Sequence, residues 1–235
     1  AVLSFNRPES RNALSDEIYD GFNTALPQVA QRDDIRVLMV TGEGGAFCSG
    51  GDVKGFRASH AGEGESMTPE ESLDRLRRNQ MWISGAFRKL PKPVVAAIPG
   101  PAAGAGFSIA LAADFRVATE SAIFVSAFST IGASGDFGSS WFLPRLIGEA
   151  KAKEFMFLSP RVSASEALNL GLINRMFADA EFDDAAMAFC NELAARSPIA
   201  MRMQKENIQR SFDADVATAL DAEAAAMVRA MSTAD

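Results

Sequence analysis

A single histidine, His60, and two cysteines, Cys48 and Cys190, stand in 235 residues. That scarcity excludes much chemistry. A catalytic triad or a histidine metal cluster would have only His60 to build on. Its neighbours Ser59, Gly62, Glu63 and Gly64 read as an exposed loop. Two cysteines make no disulfide framework, and neither sits at metal-ligand spacing, so no metal is expected. Cys48 has no adjacent histidine to take its proton and reads as small bulk rather than as a nucleophile. Basic residues are also in the minority: 23 Lys and Arg against 30 Asp and Glu leave a net charge of −7. That balance argues against a nucleic-acid partner, which needs clustered cations to neutralise phosphates.

Unbroken apolar runs are missing too. The uncharged stretch from Pro93 to Ala113 is interrupted by Pro99, Gly100, Pro101, Gly104 and Gly106. It therefore reads as strand, loop and buried helix, not as a membrane span. No targeting signal is visible, and a cytoplasmic location is expected. What the chain has is apolar bulk, 48% hydrophobic against 23% charged residues. That suffices for one large core, with or without an appendage, and needs no crosslinks.

Periodicity orders the elements. Ala1–Phe5 reads as a strand ended by Asn6-Arg7-Pro8. Ser15 is a helix N-cap followed by Asp16 and Glu17, and Ile18, Phe22 and Leu26 share one face beyond it. Ile35–Thr41 is a strand buried on both faces. Arg57–Thr68 reads as a mobile surface loop, and Pro69–Leu90 as a helix with Leu73, Leu76, Gln80, Ile83 and Phe87 along one stripe. Pro93–Ile98, Phe115–Ala118 and Ala122–Phe124 are strands, Phe107–Ala113 is a helix, and the chain from about Pro144 is mostly helical. Strands alternating with helices and a helical tail define an α/β protein.

Two glycine-rich turns follow buried strands. Gly45-Ala46-Phe47-Cys48-Ser49-Gly50-Gly51-Asp52 comes after Ile35–Thr41, and Gly100-Pro101-Ala102-Ala103-Gly104-Ala105-Gly106 after Pro93–Ile98. Small residues let the backbone approach a ligand, and a helix N-terminus presents unpaired N–H groups to negative charge. Two such turns brought together would aim one N–H each at a single carbonyl oxygen, the requirement of enolate and oxyanion chemistry. The residues alone leave open a plainer role as tight strand-to-helix connections. Neither turn has the spacing of a dinucleotide or P-loop motif.

These segments resemble those of the enoyl-CoA hydratase/isomerase (crotonase) family. Arg7-Pro8-Glu9-Ser10-Arg11-Asn12-Ala13-Leu14 is similar to its N-terminal signature, and the two glycine turns to its oxyanion segments in the right order. Trp141-Phe142-Leu143-Pro144-Arg145 and Ala164–Asn174 extend the resemblance over nearly the whole chain. The resemblance implies a ββα spiral core over residues 1–175. It also implies a helical region over 176–235 that forms trimers or a dimer of trimers. The substrate would be an acyl-CoA thioester, with no separate cofactor, its carbonyl oxygen held by the N–H groups of Gly51 and Ala105. The same motifs put Ala13, Ser49, Asp52 and Val53 along the substrate. Arg11, Lys54 and Lys205 are candidate phosphate partners, Lys205 reaching a neighbouring subunit, and each has the alternative of a solvated surface charge.

Hydratases of the family use two glutamates, where this chain has Ser108 and Phe128. Adding water needs a base and an acid, and neither residue serves. Asp136 remains, in a position that resembles the active-site aspartate of isomerase-type members. The run Asp136-x-Gly138-x-x-Trp141-x-Leu143-Pro144-Arg145 is most similar to the ring-epoxide and 3-enoyl-CoA isomerase branch. Asp136 reads either as the acid/base or as a helix cap. Phe128, Phe137 and Trp141 read either as an apolar wall around it or as core. An isomerase is thus favoured over a hydratase with an unmatched acid, a hydrolase or lyase on the same thioester, and a non-catalytic CoA-binding homologue.

Overall fold

Alternating apolar residues build a five-stranded sheet buried on both faces. The computed structural model describes residues 1–51 and 67–233. In it β1 (Val2–Phe5), β2 (Leu38–Gly42), β3 (Val94–Ile98), β5 (Phe115–Thr119) and β8 (Arg175–Phe177) lie side by side in that order, all parallel. Leu38, Val40, Val94, Ala96 and Ile98 face one core, and Met39, Val95, Ala97 and Val117 the other. This division follows from the two-residue period of a strand. A smaller sheet pairs β4 (Ala102–Ala103) with β6 (Ile123–Val125) in parallel, and β6 with β7 (Val162–Ser163) antiparallel.

Helix α1 (Asp16–Gln31) follows Ser15 as read, but the serine side chain makes no capping bond, and Phe22, Leu26 and Val29 are its buried residues. The helix expected over 69–90 is three pieces: α2 (Pro69–Gln80), a π turn (Met81–Gly85) and α3 (Ala86–Lys89). Of the expected stripe, Ile83 and Phe87 are buried whereas Leu73 and Leu76 are exposed. The π turn inserts a residue and rotates the later face away from the earlier one. Thr68 and Glu71 close a capping box at the start of α2. Helix α4 (Ala105–Ala112) is buried at every residue. Then come α5 (Ser139–Ile147), α6 (Glu149–Leu158) and α7 (Ala164–Asn169).

The end of the chain carries α8 (Phe182–Ala194), α9 (Pro198–Arg210) and α10 (Val216–Met231). The boundary expected at 175 falls at the first residue of β8, inside the main sheet. Beyond it, α8 seals the second core with Phe182, Ala186, Phe189 and Cys190. Only α10 buries no residue. No helix among the described residues is long and apolar enough to cross a membrane.

Candidate active site

The candidate site is assembled at the C-terminal ends of β2 and β3, starting from a residue that sequence reasoning passed over. Asn12 is fully buried, with its backbone in the left-handed region at φ 58°. Its side chain accepts from the Arg7 N–H at 2.8 Å and donates to the carbonyls of Glu43 at 2.9 Å and Ala46 at 2.8 Å. It thereby ties the Arg7–Leu14 segment to the loop after β2. The Ser49 N–H donates to Arg11 O at 3.0 Å, and Leu14 N–H to Gly50 O at 2.8 Å. The signal in the sequence was an Asn just before an apolar pair, a residue type that tolerates φ > 0.

The two glycine turns are laced together. Phe47 N–H donates to Pro101 O and Ala103 N–H to Cys48 O, both at 3.0 Å. Gly50 N–H donates to Cys48 Sγ at 3.4 Å. Gly50 holds φ +90°, and a Cβ placed on it would lie 3.0 Å from both Ala103 O and Ala105 N. The residue before Gly51 therefore touches the amide of Ala105. Ala105 begins α4, so its N–H has no intrahelical partner. Among the described residues no backbone carbonyl outside the helices and strands accepts from Gly51 or Ala105. The two N–H groups start from adjoining stretches of backbone, as an oxyanion hole requires.

Asp136 sits in the turn before α5. The helix is capped by Gly138, with no side-chain capping bond, so the reading of Asp136 as an N-cap is set aside by the structure. Its Oδ1 is buried and meets no hydrogen-bond partner among the described residues, and neither do the buried hydroxyls of Ser139 and Ser84. Burial pushes the Asp136 carboxyl up to about 6. The carboxylate is felt across the site. The Cys48 thiol is pushed up to about 12, chiefly by its own burial and also by Asp136. The Tyr19 hydroxyl likewise reaches about 12, by burial first and Asp136 second.

Tyr19, the one tyrosine of the chain, was not read as a site residue, although it shares the three-and-four spacing of Phe22 and Leu26. Its ring lies parallel to that of Phe137, with centroids 6.3 Å apart. Phe137 is buried at φ 49°, and its N–H donates to Gln80 Oε1 at 2.8 Å. Phe128 is buried against Gly135, one residue before Asp136. Phe137 thus follows Asp136 directly, and Phe128 packs against the residue before it.

Other candidates lie elsewhere. Trp141 does not join that wall. The guanidinium carbons of Arg88 and Arg145 stand 4.2 and 3.8 Å from its ring centroid, and its aromatic neighbours are Phe142 and Phe212. Lys205 is not free to reach a phosphate on a neighbouring subunit. Its ammonium donates to Phe87 O at 2.8 Å, Lys92 O at 3.1 Å and Asp114 Oδ2 at 2.7 Å, which uses all three donors. Burial drives Asp114 up and Lys205 down, and their pairing works against both shifts. Arg11 remains exposed and makes no ion pair among the described residues. Ala13 is buried beneath the first turn, and Ser49 Oγ donates to Ser10 O at 3.3 Å. Ser108 Oγ donates to Gly104 O at 3.2 Å. Asp52, Val53, Lys54 and His60 lie outside the described residues.

Two glycine turns laced together by backbone bonds, with a raised carboxyl whose charge reaches Cys48 in the first of them, form the candidate site on this parallel sheet. The enoyl-CoA hydratase/isomerase family model matches residues 1–235. The 1,2-epoxyphenylacetyl-CoA isomerase of Escherichia coli is 35% identical over 94% of this chain and 83% of its own. The short-chain-enoyl-CoA hydratase of Clostridium acetobutylicum is 29% identical over 100% of this chain and 87% of its own. An enoyl-CoA hydratase from Polaromonas sp. JS666 superposes with a TM-score of 0.91 at 37% identity, covering 98% of this chain and 88% of that one. The chain belongs to the enoyl-CoA hydratase/isomerase family, has the crotonase fold, and is an acyl-CoA enzyme.

Proposed function

We propose that the chain is an enoyl-CoA isomerase that shifts a double bond through a thioester dienolate, with Asp136 as the acid/base. The observation that carries this reading is the buried Oδ1 of Asp136, which has no hydrogen-bond partner among the described residues and belongs to a carboxyl felt at Cys48, in the first of two turns that offer backbone donors. Unsatisfied buried groups are rare in native structures and collect where chemistry needs them. Asp136 removes a proton from C2 of a 3-enoyl thioester. The Gly51 and Ala105 N–H groups hold the charge that develops on the thioester oxygen. The same carboxyl returns its proton at C4, giving the conjugated 2-enoyl product. One carboxyl suffices because removal and return happen in sequence. Phe128 and Phe137 exclude water, which keeps the carboxyl basic and the dienolate from side reactions.

Ser108 and Phe128 stand where hydration would need carboxylates, and Ser108 is committed to Gly104 O. The substrate is an acyl-CoA, coenzyme A enters with it, and the working assembly is a homotrimer or a dimer of trimers. The branch is favoured by the residues at 108, 128 and 136, since relatives named isomerase and relatives named hydratase are equally similar to the chain at 35% identity. The test pairs a 3-enoyl-CoA and a 2-enoyl-CoA on wild type and Asp136→Asn. Isomerisation lost by a factor of about 10² or more in the variant is expected for an essential acid/base. Hydration of the 2-enoyl substrate that survives in the variant would assign the chain to the hydratases and remove Asp136 from the mechanism.

A further inference from the structure

At the opposite end of the sheet from the catalytic turns lies a cavity of about 460 Å³. It opens where the chain enters β2 and β3, and where α8 turns into α9. Aliphatic and proline side chains, Ile35, Pro91, Pro93, Leu193, Ile199 and Met201, share its lining with a comparable polar surface, whose charged residues are Arg36, Lys92, Arg196 and Arg202 against Asp33 alone. This is an unusual concentration of positive charge in a chain whose net charge is −7. The volume falls within the range of small-molecule sites, roughly 300–1,000 Å³.

One of these cations is unpaired among the described residues, and the other three keep spare donors. Arg36 makes no ion pair among the described residues, and the one pair of Arg196, with Glu192, spans 4.0 Å. Arg202 bonds Glu206 through Nε at 2.8 Å, and among the described residues its terminal nitrogens have no partner. Lys92 gives two of its ammonium hydrogens to the carbonyls of Val29 and Arg32, which fixes it in place and leaves the third. The first turn of α9 also lines the cavity through Pro198, Ile199 and Met201. There Ser197 Oγ takes the Ala200 N–H and Ser197 O the Met201 N–H, so Ile199 N–H is the donor left at the positive end of a 13-residue helix.

We propose that this cavity is a second binding site, distinct from the catalytic one, for an organic anion with an apolar body and a carboxylate or phosphate head. The guanidinium groups of Arg36, Arg196 and Arg202 and the α9 N-terminus take the head by charge-assisted bonds. The proline and aliphatic floor takes the body. Neither feature alone selects the ligand. A bare anion forfeits the floor, and a neutral alkane chain leaves the cations hydrated but unpaired.

The test titrates the full chain with octanoate, inorganic phosphate and octanol by calorimetry, and maps each by amide chemical shifts. The expected result is that octanoate binds tightest, shifts the amides of Ile199 and Met201, and leaves Ala105 unmoved. Arg36→Glu with Arg196→Glu should weaken octanoate by at least about tenfold. Both side chains are exposed, so the pair should fold, and unchanged turnover of the acyl-CoA substrate would verify it. Phosphate binding as tightly as octanoate would reduce the site to a simple anion cluster and overturn the proposal. So would octanoate shifts confined to the Ala105 turn, or an affinity indifferent to the double substitution. Failure here leaves the acyl-CoA reading of the catalytic site untouched.

Discussion

Burial raises the Asp136 carboxyl to about 6, so above that pH the folded chain carries an ionised carboxylate whose buried Oδ1 meets no donor among the described residues. The consequence for stability has a definite sign. The folded value lies above the ordinary 3.8, so the native state holds the proton more tightly than the unfolded chain does. The penalty is absent below about pH 4, grows as pH rises to about 6, and is constant beyond. Asp136→Asn, which removes the charge and keeps the shape, should therefore stabilise the chain by roughly 1–3 kcal/mol at about pH 7.5 and by nothing at about pH 4. Urea unfolding at the two pH values measures it, and a variant less stable at the higher pH would refute the desolvation account. For the wild type, kcat/KM for proton abstraction should rise through about pH 6, because the base must be ionised to act. Lys205 behaves otherwise, because its charge is paired and all its donors are used. From sequence the two looked alike, each a charged residue near a helix end. Only the fold distinguishes a carboxylate oxygen with no partner among the described residues from an ammonium with three.

Among elements, the decisive junction is between the turn that ends β2 and the turn that starts α4. Gly50 makes the approach possible because it lacks a side chain and sits at φ +90°. A methyl group there would press on Ala103 O and Ala105 N at 3.0 Å and force the two turns apart. Gly50→Ala should lower kcat by about 10²–10³ with a smaller change in KM, since the donors act on charge that appears in the transition state. Steady-state kinetics on a sample verified as folded decides it. A raised KM with kcat intact would mean that these turns bind substrate without stabilising the dienolate. Much of this junction was readable beforehand. Short β-branched runs such as Val37–Val40 and Val94–Val95 announce buried strands, and glycines directly after them announce the turns. Two features were not. The π turn at Met81–Gly85 redirects the face of a helix whose residues still look periodic. Trp141, an aromatic beside the motif aspartate, is drawn outward to Arg88, Arg145 and Phe212, residues 53 positions before it, four after and 71 after. The two distant partners, Arg88 and Phe212, leave no local trace in a sequence.

At the scale of the molecule, the core ends before the chain does. Helix α9 is fastened to it by Lys205, and by Gln209, whose side chain donates to Arg88 O. Helix α10 packs chiefly against α9, and among the described residues it buries none of its own. Yet α10 is not polar all round. Val216, Leu220, Met227 and Met231 recur at helical spacing with Ala224 between them, and these four large side chains are 59–74% exposed. Phe157 and Leu158 at the end of α6 are similarly uncovered. Exposed apolar surface on this scale carries a hydrophobic penalty in water that a second copy would remove, at about 25 cal/mol per Å² buried. A closed symmetric assembly covers the same patch on every copy. The expectation is a species of three or six times the 25.0 kDa chain in light scattering. Leu220→Glu with Met227→Glu should dissociate it to a monomer of unchanged helix content, because neither side chain supports the monomer fold. A wild-type chain that scatters as a monomer would place the cover for α10 elsewhere. A double variant that stays assembled would assign the contacts to a different face, the end of α6 among them.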